Sequence, residues 1–297
     1  MNRIFKVSED REIIASEWGD NMNPLVIMLH GGGQTRHSWK GVAAKIANLG
    51  FYVIAHDLRG HGESFWDSNG DYTFDAHRDD LVKIIQQLGK KANLVGASLG
   101  GMISLSLAGH EEESKHCLGL IMVDIGMRPN DEGSDRIVEF MRSGAKGFAS
   151  VEEAADAVSG YLPHRERPKD ISGLKKNLRL KEDGRYYWHW DPLFLTDRTG
   201  MGEVREERFK QLENSAKRIT VPTLLVQGAL SDILTNKEKE EFLNAVPHAK
   251  LAEIQQATHM VVGDKNDIFA EAIVDFLSEQ TKYCLLYTSP SPRDLQG

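Results

Sequence analysis

The sequence predicts an α/β protein built on a mostly parallel, eight-stranded sheet with helices on both faces. Short apolar runs alternate with amphipathic helical stretches along residues 1–126 and again along 213–282. Runs such as residues 51–55 are apolar at every position, which is typical of strands buried on both faces of a parallel sheet. In addition, the glycine-bounded segment 96–100 joins an apolar run directly to a helical pattern. Alternating elements of this kind favour a parallel sheet between helical layers.

The individual elements follow from periodicity and from terminal residues. Strands are predicted near residues 2–7, 12–18, 25–30, 51–57, 91–96, 118–124, 223–228 and 250–254. Helices are predicted near 38–48, 74–88 and 99–109, from Asn236 onward, and at 265–279. The helix at 74–88 carries the clearest boundaries, because Thr73 can cap its first turn and Gly89 can end it.

Composition limits the class of protein and of partner. The chain has 297 residues, 40% of them hydrophobic, and this is enough for a sizeable core. No apolar run approaches the roughly 20 residues of a membrane span. A net charge of −8 argues against a nucleic-acid partner, and two cysteines are too few for a disulfide framework. We therefore expect a cytoplasmic protein with no membrane and no nucleic-acid partner; the sequence leaves the oligomeric state open.

Ser98 is the predicted nucleophile. It stands in Gly-x-Ser-x-Gly between a strand and a helix, where a tight turn exposes its hydroxyl at the N-terminal end of the helix. Glycine is needed at Gly96 and Gly100, because a β-carbon at either position would collide with neighbouring backbone. This arrangement is typical of a nucleophile elbow.

A serine nucleophile needs a base and an acid, and both have candidates. His259 follows the strand at 250–254 and precedes the last helix, and an imidazole can accept a proton at neutral pH. Asp232 follows the strand that ends at Gly228, so Ser98, Asp232 and His259 stand in the chain order that accompanies this elbow. Asp124, just after the strand at 118–124, is the competing acid. We favour Asp232 and expect Asp124 to be a structural acceptor at the mouth of the site.

The oxyanion site is predicted from backbone N–H groups. The strand at 25–30 ends in His30-Gly31-Gly32-Gly33, and residues without side chains can turn N–H groups toward a developing negative charge. We expect the N–H groups of Gly32 and Leu99 to form this site. Gly33 is the neighbour most easily confused with Gly32, and we expect His30 to brace the loop.

These motifs, together with residues 57–64 (Asp-Leu-Arg-Gly-His-Gly-Glu-Ser), make the chain resemble the α/β-hydrolase superfamily from about residue 5 to 280. The resemblance is closest to small members with a cap, such as esterases, lactonases and C–C bond hydrolases. It implies the α/β-hydrolase fold and the acid position favoured above, with no metal and no organic cofactor. Serine at the elbow, where epoxide hydrolases and haloalkane dehalogenases of this superfamily carry aspartate, argues against both of those chemistries.

The segment 127–212 differs from the rest, because it is rich in charge and lacks strong strand patterns apart from a predicted small hairpin around 178–190. We expect it to form a mainly helical cap inserted into the core of residues 1–126 and 213–282, and call it the cap segment. Trp188 and Trp190 either form its core or provide an aromatic wall above Ser98. With Gly33 and Met260, they are the candidate substrate contacts.

The last residues, 283–297, resemble the translation of a transposase adapter used in DNA library preparation. We expect a helix to end near Gln280 and the tail to be non-native.

The functional prediction is a serine hydrolase that cleaves a small carboxylic ester or lactone through an acyl-enzyme intermediate. Two alternatives stay open. One is hydrolysis of a C–C or amide bond with the same three residues. The other is a small-molecule sensor that retains them without turnover.

Overall fold

The computed structural model describes residues 2–161, 170–196, 205–259 and 266–288, with side chains left out at 205, 266, 267 and 281–288. One sheet contains eight of the strands, and two more form a separate hairpin. In chain order the strands are β1 (Asn2–Lys6), β2 (Glu12–Trp18), β3 (Leu25–Leu29), β4 (Tyr52–His56), β5 (Ala92–Ala97), β6 (Cys117–Val123), β7 (Leu178–Leu180), β8 (Tyr186–Trp188), β9 (Thr223–Gly228) and β10 (Lys250–Ile254).

The large sheet is mostly parallel, as predicted. Its order is β1-β2-β4-β3-β5-β6-β9-β10. Strand β2 pairs antiparallel with β1 and β4, and every other neighbouring pair is parallel. The carboxyl ends of β5, β6, β9 and β10 therefore meet along one edge, where loops that follow neighbouring strands can bring their side chains together.

Helices cover both faces of this sheet. They are α1 (Lys40–Asn48), α2 (Phe74–Leu88), α3 (Leu99–Ala108), α4 (Asp131–Ser143), α5 (Val151–Tyr161), α6 (Arg205–Ala216), α7 (Asn236–Ala245) and α8 (Asn266–Thr288). On one face α1 meets α8, and the rings of Trp39 and Phe269 stack between them at 6.1 Å. On the other face α2 and α3 pack together. The predicted cap of α2 is present, because the Thr73 hydroxyl accepts the N–H of Ala76 and Gly89 adopts a left-handed φ of 67°.

Two boundaries differ from the expectation. Residue 212 falls inside α6, which runs to Ala216 and packs against α3. The predicted end of the cap segment therefore lies within a helix and not between two elements. Helix α8 continues to Thr288 instead of ending near Gln280. No glycine or proline stands between Gln280 and Pro290, so nothing local ends the helix. Residues 289–297 of the predicted tail lie outside the described residues.

Between β6 and β9, the chain forms helices α4, α5 and α6 and the β7–β8 hairpin. The predicted hairpin is confirmed, with Leu178 opposite Trp188. Within the described ranges, no helix is both long enough and apolar enough to cross a membrane.

Candidate active site

Ser98 occupies a strained turn between β5 and α3. Its backbone has φ 48° and ψ −115°, a conformation that side-chain-bearing residues rarely adopt outside functional sites. A β-carbon at Gly96 would lie 2.2 Å from the carbonyl oxygen of Gly100, and one at Gly100 would lie 2.3 Å from that of Leu29. The turn therefore requires glycine at both positions, for the steric reason that the sequence suggests.

His259 faces an aspartate at the end of β6. Its Nδ1 lies 2.7 Å from Oδ2 of Asp124. The Asp124 side chain is 1% exposed and that of His259 is 14% exposed, so this contact is largely shielded from water. Asp124 itself has a left-handed φ of 51°, a second strained residue within the same site.

The Asp124 carboxylate is held on both oxygens by the end of β9. Its Oδ1 accepts the N–H of Gly228 at 2.8 Å, and its Oδ2 accepts the hydroxyl of Ser231. The Ser231 oxygen in turn accepts the N–H groups of Ile233 and Leu234, each at 3.1 Å. Ser231 is not among the site residues predicted from the sequence, although a hydroxyl residue beside Asp232, in the loop after a buried strand, is a signal for it.

Asp232 does not meet His259, which corrects the predicted acid. Its side chain is 52% exposed and forms an ion pair with Arg136 of α4. The cause is a tight turn after β9, in which the N–H of Ser231 bonds to the carbonyl of Gly228 at 2.9 Å. This turn points Ser231 inward and Asp232 outward. Asp124, the competing candidate, occupies the position beside His259.

The glycine loop after β3 lies against Ser98, since a β-carbon on Gly31 would lie 3.3 Å from that of Ser98. The N–H of Gly31 bonds to the side-chain oxygen of Gln34 at 3.2 Å, and the N–H of Gly33 bonds to His61 at 3.1 Å. Of these three glycines, Gly32 alone has an N–H without a protein acceptor among the residues that the structure describes. The N–H of Gly33 is therefore already engaged, whereas that of Gly32 is available to a bound group.

His30 braces this loop, as expected. Its Nδ1–H donates to the carbonyl of Gly31 at 2.8 Å, and its Nε2 accepts the N–H of Leu58 at 3.0 Å. Burial lowers the pKa of His30 to about 3, so the ring is neutral at neutral pH. Asp57 stabilises the chain that follows this loop. Its carboxylate accepts the backbone N–H of Arg36 at 2.7 Å and forms an ion pair with the Arg36 guanidinium.

One cavity of about 430 Å³ brings these groups together. Ser98, Leu99, Gly32 and His259 all line it. Much of the remaining lining is apolar and comes from the cap segment, including Ile137, Val138, Phe140, Met141, Val158 and Leu174. Such an enclosure suits a small substrate with an apolar portion.

Trp188 and Trp190 line the same cavity and are also buried in the cap segment. Their rings stack at 5.0 Å with 14° between the planes. Trp188 is enclosed by Phe140 and Phe148, while the ring of Trp190 lies beside Gly33. The two interpretations of these residues, core packing and cavity wall, are thus compatible. Met260, the remaining candidate contact, lies outside the described residues.

Comparisons with known proteins agree with the fold. A family model described as alpha/beta hydrolase fold matches residues 24–266. The chain is 28% identical over 269 residues to esterase Rv0045c of Mycobacterium tuberculosis, an alignment that covers 88% of this chain and 85% of that protein. It is 26% identical over 254 residues to 3-hydroxybutyrate-oligomer hydrolase of Cupriavidus necator, covering 82% and 85%.

Solved structures show the same architecture. The structure of E-2-(acetamidomethylene)succinate hydrolase aligns with a TM-score of 0.79 at 20% identity, over 94% of this chain and 99% of that one. A structure of the M. tuberculosis esterase Rv0045c aligns with a TM-score of 0.73 at 25% identity, over 94% and 92%.

Proposed function

Because the chain belongs to the alpha/beta hydrolase fold family, we propose that it is a serine esterase that cleaves a small carboxylic ester or lactone through an acyl-enzyme intermediate. The observation that carries this proposal is the contact of buried Asp124 with His259, because His259 lines the cavity that also exposes Ser98. The name of one relative, esterase Rv0045c, supports the ester as the bond that is cleaved.

In the proposed first step, His259 accepts the proton of the Ser98 hydroxyl as the oxygen attacks the carbonyl carbon. Asp124 accepts the Nδ1–H of His259 at 2.7 Å, which fixes the tautomer that leaves Nε2 free to take this proton. The imidazolium that forms is stabilised by the carboxylate. It then protonates the leaving alcohol, and the acyl group remains on Ser98.

In the proposed second step, water replaces the alcohol. His259 accepts a proton from this water, whose oxygen attacks the acyl carbon, and then returns the proton to Ser98 as the acid is released. The same residues therefore serve both halves of the reaction.

The tetrahedral oxyanion of each step is assigned to the N–H groups of Gly32 and Leu99. Leu99 is the first residue of α3, where N–H groups lack an acceptor within the helix and the helix dipole favours negative charge. Gly32 faces the same cavity. Each such donor contributes about 10²- to 10³-fold to the rate in serine hydrolases.

The test is sustained turnover of p-nitrophenyl acetate by the wild type and by Ser98→Ala. We expect continuous release of p-nitrophenol by the wild type and a loss of at least about 10³-fold in Ser98→Ala, because the three residues act as a unit. Ser134→Ala is a matched control, since Ser134 lines the same cavity in α4. Turnover by Ser98→Ala above about one thousandth of the wild-type rate would overturn the assignment. A single slow release per molecule of wild type would instead indicate a sensor.

A further inference from the structure

Three consecutive peptide groups of the glycine loop are each held by one histidine. The carbonyl of Gly31 accepts from His30 Nδ1–H at 2.8 Å. The N–H of Gly33 donates to His61 Nε2 at 3.1 Å, and the carbonyl of Gly33 accepts from His189 Nε2–H at 3.2 Å. These bonds hold, in turn, the peptide groups 31–32, 32–33 and 33–34.

The first of these peptide groups carries the N–H of Gly32. In a trans peptide the N–H and the C=O point in opposite directions. His30 therefore holds the carbonyl of Gly31 on one side and directs the N–H of Gly32 to the other. The bonds to Gly33 restrain the next two peptide groups, so that the Gly32 N–H cannot turn without breaking one of the three contacts.

The partners of each ring fix its tautomer. The second nitrogen of His61, Nδ1, donates to the carbonyl of Arg59 at 3.2 Å, so its Nε2 is free to accept. The second nitrogen of His189, Nδ1, accepts the N–H of Gly62 at 2.8 Å, so its Nε2 carries the proton. Burial lowers the pKa of both rings to about 3, which keeps them neutral with one donor and one acceptor each.

The third histidine belongs to the cap segment, whereas the other two belong to loops that follow β3 and β4. His189 comes directly after β8 and is 2% exposed. Its ring lies 6.0 Å from that of His61, and Phe194, also from the cap segment, packs edge-on against His61 at 4.9 Å. The cap segment thus contacts the loop through specific hydrogen bonds as well as by enclosing the cavity.

We propose that His30, His61 and His189 are positioning residues that preorganise the Gly32 N–H for the oxyanion. Through His189, this geometry depends on the position of the cap segment relative to the glycine loop. The proposal rests on the proposed esterase function. A preorganised N–H donor stabilises the oxyanion of the transition state more than the bound substrate. Loss of one of the histidine hydrogen bonds that hold this donor therefore lowers kcat more than it changes KM.

Two variants of His189 separate its two bonds. In His189→Gln the amide nitrogen lies near the former Nε2 and can still donate to Gly33, whereas in His189→Asn the amide oxygen replaces Nδ1 and only the bond to Gly62 remains. Both replace a buried ring by an amide, so each controls for the other. We expect His189→Asn to lower kcat about 10-fold or more with little change in KM, and His189→Gln to stay within about 3-fold of the wild type.

An alkylboronic acid, which forms a tetrahedral adduct with a serine nucleophile, supplies the second readout. Its affinity should fall in His189→Asn by the same factor as kcat. Equal kcat values for the two variants, or an unchanged boronate affinity in His189→Asn, would overturn the proposal. If His189→Asn does not fold, His61→Leu and His61→Gln provide the same comparison. The amide oxygen of glutamine can accept the N–H of Gly33, whereas leucine cannot, so kcat and boronate affinity should fall in His61→Leu and not in His61→Gln.

The experiments distinguish an error in the proposed role of the three histidines from an error in the proposed esterase function. Suppose that the wild type hydrolyses esters, that Ser98→Ala does not, and that His189→Asn has the same kcat as the wild type. The esterase function then stands, and the proposed role of the three histidines is wrong. If the wild type does not turn esters over, the esterase assignment itself is wrong; if Ser98→Ala keeps the wild-type rate, Ser98 is not the nucleophile and the proposed mechanism is wrong.

Discussion

Nδ1 of His259 lies 2.7 Å from Oδ2 of Asp124. Asp124 follows β6, and Ser98 follows β5, the neighbouring strand of the sheet. Gly228 and Ser231, from the end of β9, donate to the same carboxylate. A buried carboxylate is costly unless it is hydrogen-bonded, and here each oxygen has a donor. The loop after β9 thus contributes donors to a carboxylate that stands directly after β6.

The first prediction compares two aspartates. Asp124→Asn should lower kcat/KM for p-nitrophenyl acetate by several orders of magnitude, because asparagine would hold His259 in the wrong tautomer. The same change in a serine protease triad lowers kcat about 10⁴-fold. Asp232→Asn should stay within about 3-fold of the wild type, because it removes only an exposed ion pair with Arg136. Steady-state kinetics of both purified variants provide the measurement. The reverse ranking would place the acid after β9.

The part of this site that could be predicted from the sequence depends on local geometry. Gly96 and Gly100 are required by backbone contacts within or beside the turn, so the sequence pattern alone indicates the elbow. The choice between Asp124 and Asp232 depends on which way each side chain points at the sheet edge. That direction is set by donors more than 100 positions from Asp124 in the chain, which no local pattern reveals.

The positioning histidines illustrate the same limit. His30 precedes the glycines that it holds, and its role follows from its place in the motif. His189 stands between two tryptophans in the cap segment, 156 positions from Gly33, and nothing near it in the sequence marks it as a partner of the glycine loop. Long-range contacts of this kind require the folded chain.

A second prediction tests the steric basis of the elbow. Gly96→Ala should lower the melting temperature by several degrees and abolish activity, because the new β-carbon would lie 2.2 Å from the carbonyl oxygen of Gly100. Gly41→Ala is the control: Gly41 lies in α1 with nothing within 4 Å of its ideal β-carbon. This change should stabilise the protein by about 0.5–1 kcal/mol through helix propensity. Similar thermal denaturation curves for the two variants would contradict this account.

A third prediction separates the two tryptophans. Trp190 lies 3.4 Å from the ideal β-carbon of Gly33, so Trp190→Ala should enlarge the cavity beside the glycine loop and shift the preferred ester toward longer acyl chains. Each methylene that the new space accepts is worth about 0.8 kcal/mol in kcat/KM. Trp188→Ala, which opens the aromatic packing around Phe140 and Phe148, should cost roughly 3–5 kcal/mol of stability.

The measurements are a chain-length series of p-nitrophenyl esters and urea denaturation. In Trp188→Ala, kcat/KM should fall by a similar factor for every ester of the series. An unchanged chain-length preference in Trp190→Ala would exclude it as a wall of the acyl site.

A fourth prediction concerns acid. Burial lowers the pKa values of His30, His61 and His189 from 6.5 to about 3, so below pH 6.5 the unfolded chain binds protons that the folded chain excludes. Stability should therefore fall as the pH drops from about 6.5 toward 3, by up to about 1.4 kcal/mol per pH unit for each ring. Urea denaturation at pH 7, 6 and 5 measures the slope. His189→Gln removes one such ring and should show a shallower slope; parallel slopes would contradict the buried neutral state of His189.

The covalent role of Ser98 is tested most directly by mass spectrometry of the protein after rapid acid quenching during turnover of p-nitrophenyl acetate. We expect one acetyl group per chain, located on the peptide that contains Ser98 and missing in Ser98→Ala. Turnover without a covalent adduct, or an adduct on any other residue of the wild type that forms and decays at the rate of turnover, would contradict it.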